Sequence, residues 1–400
     1  MDVCLALDQS TEMRDKPAWG AVFSLALGVF GLVTAEFLPA SLLTPMAASL
    51  GVTEGMAGQA VTITAAVAMV TSLLIATITK RIDRRLVLMA FSVLLIIANL
   101  LVAYAPVLAV VLIGRVLLGI AIGGFWTLSA ATAMRLVPEA LVPRALSIMF
   151  SGVSLATIAA APLGSYFGAL IGWRHVFLLA VALGVLALVW QWVTLPKMPP
   201  RGASHLRTLI EVLQRPGMAQ GMLCCTLVFT GHFAFFTYLR PFIEGVTAVG
   251  VNGLSGILLG FGIANFLGTS LAGLLLERSL RLTLLLMPLS MALIGLCLVL
   301  FAPSMLTHFV LVSLWGMAFG GVPVAWTTWI TRTVPDQAES GGGLIVAAVQ
   351  LAITFGAAAG GLIFDLSGAK GVFVASALVL LLATAIIAAA FRTRPVLVSL

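Results

Sequence analysis

GGFWTLSAATAMRLVPE, residues Gly123 to Glu139, has a counterpart 197 positions later in GGVPVAWTTWITRTVPD, Gly320 to Asp336. The offset superposes Arg135 on Arg332, Pro138 on Pro335 and Glu139 on Asp336. Upstream it places Arg81 on Arg278, Arg84 on Arg281 and Gly119 on Gly316. A period close to half the 400-residue chain marks a duplicated unit, so the fold is two copies of one architecture. In both copies a long apolar run ends at an arginine followed by a proline and an acid, as a membrane-crossing helix ends at the water interface.

Composition supports the membrane reading. The chain is 61% hydrophobic and 9% charged, with a mean hydropathy of +1.18, more apolar surface than a soluble core absorbs. Charge-free runs long enough to span a bilayer recur at about 19–46, 57–79, 86–104, 108–134, 145–170, 175–194, 217–242, 253–276, 282–301, 305–330, 341–365 and 371–391. The alternating ten-residue pattern of a β-barrel does not occur. The sequence therefore predicts an all-α polytopic membrane protein with twelve transmembrane helices in two pseudo-symmetric six-helix bundles. The expected parts are a tail over 1–18, a bundle over 19–194, a linker over 195–216, a second bundle over 217–391 and a tail over 392–400. Two parallel repeats with a site between them are the plan of alternating-access carriers.

With the N-terminus inside, only Arg174, Arg240 and Lys370 fall outside, and Arg115 lies within a span. The other 17 of the 21 Lys and Arg are cytoplasmic, which predicts both termini on that side. The net charge of +7 then follows from topology rather than from binding nucleic acid. The first span is too long for a cleaved signal and is expected to stay. Cys4, Cys224, Cys225 and Cys297 form no ligand or disulfide spacing and are read as small packing residues.

Glu36 is the only charge in WGAVFSLALGVFGLVTAEFLPASLLTPM, Trp19 to Met46. A carboxylate in hydrocarbon costs several kcal/mol unless it meets water, a partner or a proton. Glu36 is thus read as lining a polar cavity and handling protons or ligand, the alternative being an inert, hydrogen-bonded interfacial glutamate. Aromatic side chains form faces: Trp126 with Arg115, Ile122 and Ser129 in span 4; Trp315, Phe319, Trp326 and Trp329 in span 10; Phe229, His232 and Phe236 in span 7, with Tyr238 nearby. Asn99, Asn265 and Gln350 are isolated amides. Such walls suit a flat, uncharged, hydrogen-bonding ligand. A nucleoside, a sugar and an amphiphilic drug all satisfy that description, and lipid belting or packing is the alternative for each tryptophan.

Several segments carry a resemblance to a known family: AEFLPASLLTPMAASLGVTEGMAGQAVT (Ala35 to Thr62), LIGRVLLGIAIGGFW (Leu112 to Trp126), APLGSYFG with GWRHVF, FAFFTYLRP (Phe233 to Pro241) and WTTWITRTVPDQAE (Trp326 to Glu339). The chain resembles the major facilitator superfamily, its drug:proton antiporter group and, within that, the sugar-efflux branch, over essentially its whole length. The resemblance implies the major facilitator fold and a proton-coupled exporter in a bacterial inner membrane, expected as a monomer. Its partners would be protons, a small-molecule substrate and the bilayer. Within the branch it implies purine ribonucleosides, such as inosine and guanosine, as cargo.

The resemblance also implies roles. Lys80 to Arg85 (KRIDRR) is similar to a cytoplasmic loop that latches the two halves, although Lys80 stands where an Asp is often found. Asp83, with Arg84 and Arg85, is the candidate latch, or these charges only set topology. Arg115, Gly119 and Gly123 resemble a span-4 RxxxGxxxG motif, the glycines serving helix packing. Arg115 and Glu36 each sit about eight or nine residues below the outer boundary, ~12 Å, so the two are expected to pair and to couple protons, or to align helices as a static pair. Pro162 and Gly164 in APLG resemble the antiporter motif that crowds spans 5 and 8 together. His232 is expected to donate to a ligand or share the proton, or only to hydrogen-bond locally. Substrate contact is assigned to Trp126, His232, Phe236, Tyr238, Asn265, Trp326 and Gln350.

An enzyme would need clustered nucleophiles, metal ligands or paired carboxylates. The four histidines lie on separate segments, and no HExxH, GxSxG or Gly-Lys phosphate loop occurs, so no catalytic residue, metal or cofactor is expected.

Overall fold

The computed structural model describes residues 17–138, 141–199, 206–246, 250–301, 304–334 and 337–390. Glu139, Pro335 and Asp336 of the repeat lie outside the described residues, as do Cys4, residues 200–205 of the linker, 1–16 of the first tail and all of 392–400.

The first half comprises α1 (Trp19–Ser41), α2 (Leu43–Leu50), α3 (Glu54–Ile78), α4 (Arg84–Ala103), α5 (Leu108–Arg135), α6 (Val142–Ile171) and α7 (Trp173–Thr194). A short α8 (Leu206–Leu213) follows in the linker. The second half comprises α9 (Met218–Thr237), α10 (Leu239–Val246), α11 (Val251–Arg278), α12 (Leu280–Leu300), α13 (Met305–Thr333) and α14 (Ala338–Ala390). Eleven of the described helices are long and apolar enough to cross a membrane. The last is two spans joined at Gly368, whose φ of 72° and ψ of −177° break the helix. Gly172 (φ 85°) makes the corresponding break between α6 and α7. A side chain is strained at such φ values, so glycine occupies both turns.

Polar residues start the helices where the apolar runs begin. Thr53, Asp83, Ser279 and Ser304 each accept a hydrogen bond from a backbone N–H of the first turn, meeting donors that a bilayer boundary would leave unpaired. Two expected single spans are split. The run 19–46 breaks at Leu42 and the run 217–242 at Tyr238, so each first span of a half ends in a short offset helix.

The two halves pair their helices alike. α1 packs on α6 and α9 on α14; α3 on α5 and α11 on α13; α4 on α5 and α12 on α13; α4 on α7 and α12 on α14. Close approach at the α3–α5 and α11–α13 crossings depends on matched glycines. A Cβ at Gly119 would lie 2.6 Å from the Thr64 carbonyl oxygen. Those at Gly316, Gly123 and Gly320 would overlap the carbonyl oxygens of Phe261, Ala68 and Asn265. These four contacts obey the 197-residue offset on both partners, so the duplication extends to backbone packing. Between the halves, α3 packs on α14 and α6 on α11.

Candidate functional site

Glu36 sits in the last third of α1, half-buried at the seam between the halves. A small cleft there is lined by Glu36, Phe37 and Ala40 of α1, Val61 of α3, Phe233, Phe236 and Thr237 of α9, and Ile353 of α14. The offset pairs Glu36 with Phe233 and Ala40 with Thr237, so the same two positions of both repeats face one another across the cleft. The side-chain amide of Gln350, on α14, approaches the Glu36 carboxylate as a donor. Its Oε1 is buried without a partner, as is Oγ1 of Thr237. Phe37 and Phe236 meet edge to face at 5.5 Å.

Arg115 is 1% exposed, and its charge is near enough to interact with that of Glu36. The expected ion pair does not form within 4.0 Å. Arg115 Nη1 instead donates to the Ala35 carbonyl at 2.8 Å, and its guanidinium lies 5.1 Å from the Phe177 ring centre. The reason lies in the sequence. Pro39 has no N–H, so the carbonyl four residues earlier, that of Ala35, has no helical donor. Arg115 fills the gap and pins the α1 chain one residue before Glu36. Its Nε and Nη2 are buried without partners.

The other predicted site residues divide. Phe236 lines the cleft and Gln350 reaches Glu36. His232 stands behind Phe236, stacked on Phe319 at 3.3 Å, and its Nδ1 accepts the Trp315 indole N–H at 3.1 Å. That ring nitrogen is therefore not available to donate to a ligand. Four others are placed elsewhere. Trp326 is 1% exposed, packed on Trp329 in the core of the second half, because its stretch of α13 faces inward. Asn265 donates to the Gly316 carbonyl at 3.3 Å, tying α11 to α13 where glycine brings the backbones together. Trp126 stacks on Phe150 at 5.9 Å within the first half and does not line the cleft. Tyr238 is fully buried, its hydroxyl donating to the Ala357 carbonyl at 3.0 Å and its ring filling space left by Gly58, Gly360 and Gly361.

Tyr238 belongs to a seal that closes the end of the molecule next to the cleft. Thr53 donates to Asp365 at 3.1 Å, and Arg240 Nη1 donates to the Ser41 carbonyl; both contacts join the halves. Arg240 is further held by Glu244 at 2.9 Å. Sequence reasoning treated Arg240 only as an outer charge. Its signal was its position two residues after the break at Tyr238, where the end of α1 presents free carbonyls.

The loop residues work inside the first half. The Asp83 carboxylate accepts from Arg85 N at 2.8 Å and from Met198 N at 3.0 Å. Arg84 donates to Thr79 at 3.0 Å and Arg85 to the Trp192 carbonyl at 2.6 Å. The carboxylate is thus taken by its own helix start and by the linker, and the contacts seen for this trio do not bridge the halves as a latch would. Pro162 lies within α6; Gly164 gives α6 its approach to α1, a Cβ there falling 2.6 Å from Ser41 Oγ. A Cβ on the matched Gly361 would fall 2.7 Å from Tyr238 Oη, again at the 197 offset on both partners. Among the described residues, no group of His, Cys, Asp and Glu is placed to hold a metal ion.

Comparison with known proteins fits this geometry. The profile described as Major Facilitator Superfamily matches residues 25–345 and 245–399. The chain belongs to the major facilitator superfamily. It is 46% identical over 380 residues to the purine ribonucleoside efflux pump NepI of Salmonella enteritidis PT4, covering 95% of this chain and 96% of the relative. The same figures hold for NepI of Salmonella gallinarum and Salmonella typhimurium. Among solved structures, the fold matches an inward-facing, unoccupied bacterial homolog of the human lysosomal transporter Spinster, with a TM-score of 0.76 and 16% identity over 93% of this chain and 96% of that one. It also matches a POT family transporter in complex with 5-aminolevulinic acid, with a TM-score of 0.77 and 12% identity over 94% of this chain and 96% of that one.

Proposed function

We propose that this chain exports purine ribonucleosides, such as inosine and guanosine and related base analogues, by proton-coupled antiport with alternating access. The observation that carries the reading is the 46% identity, over nearly the whole of both chains, to pumps named for that cargo. The cleft supports it chemically: phenylalanine faces for a flat ring beside a carboxylate, an amide and a hydroxyl. Glu36 is the proton carrier. It sits where the halves meet, with Gln350 contributed by the opposite half, so rocking of the halves changes the carboxylate's partners and with them its readiness to hold a proton. Arg115 keeps the α1 bend in register while this happens. The protein works as a monomer in a bacterial inner membrane with both termini cytoplasmic, through bundles at 19–194 and 217–391, and the seal at Ser41, Tyr238 and Asp365 is then the outer gate, closed here.

Competition on everted vesicles tests the cargo. Inosine and guanosine should displace labelled inosine, while pyrimidine nucleosides, arabinose and a lipophilic cation should not. Displacement by arabinose alone would make the chain a sugar exporter; displacement by the cation alone would make it a general drug pump.

A further inference from the structure

At the cleft and in the wall behind it stand polar groups that their neighbours do not satisfy. Thr237 is 1% exposed, and its Oγ1 has no partner. That is unusual for a threonine in a membrane helix, which ordinarily back-bonds to the carbonyl four residues earlier. Thr226 of the same helix does so with Met222 at 2.9 Å, and Thr354 and Thr384 of α14 do so at 2.8 Å. Thr237 forgoes that bond. Thr34, Thr44 and Thr62 also carry unpartnered hydroxyls, but only Thr237 lines the cleft with Glu36. Gln350, 5% exposed, turns its amide donor towards Glu36 and leaves Oε1 bare. A buried polar atom without a partner is costly, and one that also lines a cleft is a group a ligand can complete.

The unmet capacity is mainly of one kind. A carboxylate and an amide oxygen accept, and a hydroxyl accepts or donates. The complementary ligand group is a donor of two adjacent hydrogen bonds. A purine offers its face to Phe37 and Phe236; on its edge inosine carries a single donor, N1–H, so two adjacent donors common to inosine and guanosine must come from the sugar. The vicinal hydroxyls of ribose are the matching donors.

We propose that Thr237, Gln350 and Glu36 form a subsite for the 2′,3′-diol of the ribose and so select ribonucleosides against deoxynucleosides and free bases. This rests on the nucleoside reading above and adds to it the part of the ligand that is read. The subsite lies at the inner side of the seal: Ser41 follows Ala40, and Tyr238 follows Thr237. A bound sugar is therefore placed against the residues that close the end of the molecule.

The test is equilibrium binding of inosine, 2′-deoxyinosine, 3′-deoxyinosine and hypoxanthine to the purified full-length protein. It is repeated with Thr237→Val, which keeps the shape and removes the hydroxyl, and with Thr237→Ser, which restores it. On the wild type each deoxy analogue should bind about 10-fold more weakly than inosine, the loss of one good hydrogen bond. Thr237→Val should weaken inosine by a similar factor, leave at least one deoxy analogue little changed, and so compress the inosine-to-deoxyinosine ratio; Thr237→Ser should restore it. A packing role alone would weaken all ligands together and leave the ratio fixed. Gln350→Leu supplies an independent compression of the same ratio. If inosine binds the wild type and both deoxy analogues bind equally well, the subsite is overturned while the nucleoside reading stands. If no purine nucleoside binds the wild type, both fall.

Discussion

The two halves share a scaffold and differ in chemistry. At the helix crossings they are near copies: Gly119 and Gly316, Gly123 and Gly320, and Gly164 and Gly361 each meet the offset-matched partner. Around the cleft the correspondence stops. Glu36 faces Phe233, Ala40 faces Thr237, the partner of Arg115 is Val312, and that of Gln350 is Val153. The first half supplies the charge, the pinned Ala35 carbonyl and Phe37; the second supplies most of the aromatic surface, the hydroxyl and the amide. Packing rules constrain both copies equally, because a backbone crossing tolerates no Cβ in either. The proton carriage proposed for Glu36 needs only one carboxylate, and a second opposite the first would repel it.

The scaffold half of this comparison breaks most violently. Gly123→Ala and Gly320→Ala should each cost at or above the top of the roughly 1–3 kcal/mol seen for overpacking, since the obstacle is a backbone oxygen that cannot swing away. Detergent-solubilised size-exclusion profiles and thermal unfolding should show the two variants equally damaged. Tolerance of one and loss of the other would mean that the halves do not share their packing.

Trp326 sharpens the line between scaffold and site. As a core residue, its replacement by Phe should lower stability by roughly 1–3 kcal/mol and leave inosine affinity within about twofold. A selective loss of inosine affinity at unchanged melting temperature would return it to the binding wall.

Asp83 carries the smallest expected effect. Asp83→Ala removes a helix cap and should cost about 1 kcal/mol, while Asp83→Asn, which still caps, should stay near wild type. Turnover in vesicles at matched protein level should be unchanged in Asp83→Asn. A marked drop would restore the latch between halves.

The fold was legible because its two signals are strong: apolar runs of bilayer length, and a repeat whose glycines and arginines recur at one offset. The site was legible only in part. Depth counting brought Glu36 and Arg115 to the same level, and the structure keeps them close. It did not reveal that Pro39 frees the Ala35 carbonyl and so claims the guanidinium, although the proline stood three residues from Glu36. Aromatic spacing along a helix says which residues share a face and not which face meets the cleft. Trp126 and Trp326 therefore looked like binding walls but do not line the cleft, while Phe37, Phe233 and Thr237, which do, were passed over. Asn265 looked like a ligand amide because a helix crossing sealed by glycine carbonyls uses the same hydrogen bonds as a binding site. The seal was invisible for a different reason. Arg240, Tyr238, Asp365 and Thr53 come together only when the halves dock, across separations that no local pattern encodes.

The proposed coupling of proton and cargo movement rests on Glu36. The direct measurement is accumulation of labelled inosine by everted vesicles carrying an acid-inside pH gradient, comparing wild type with Glu36→Gln at equal protein, alongside inosine binding to each. The amide keeps an acceptor oxygen, so binding should stay within about fivefold. It cannot cycle a proton, so Glu36→Gln vesicles should equilibrate inosine without concentrating it, and a protonophore should reduce wild type to the same level. Accumulation above equilibrium by Glu36→Gln at the wild-type rate would contradict the account.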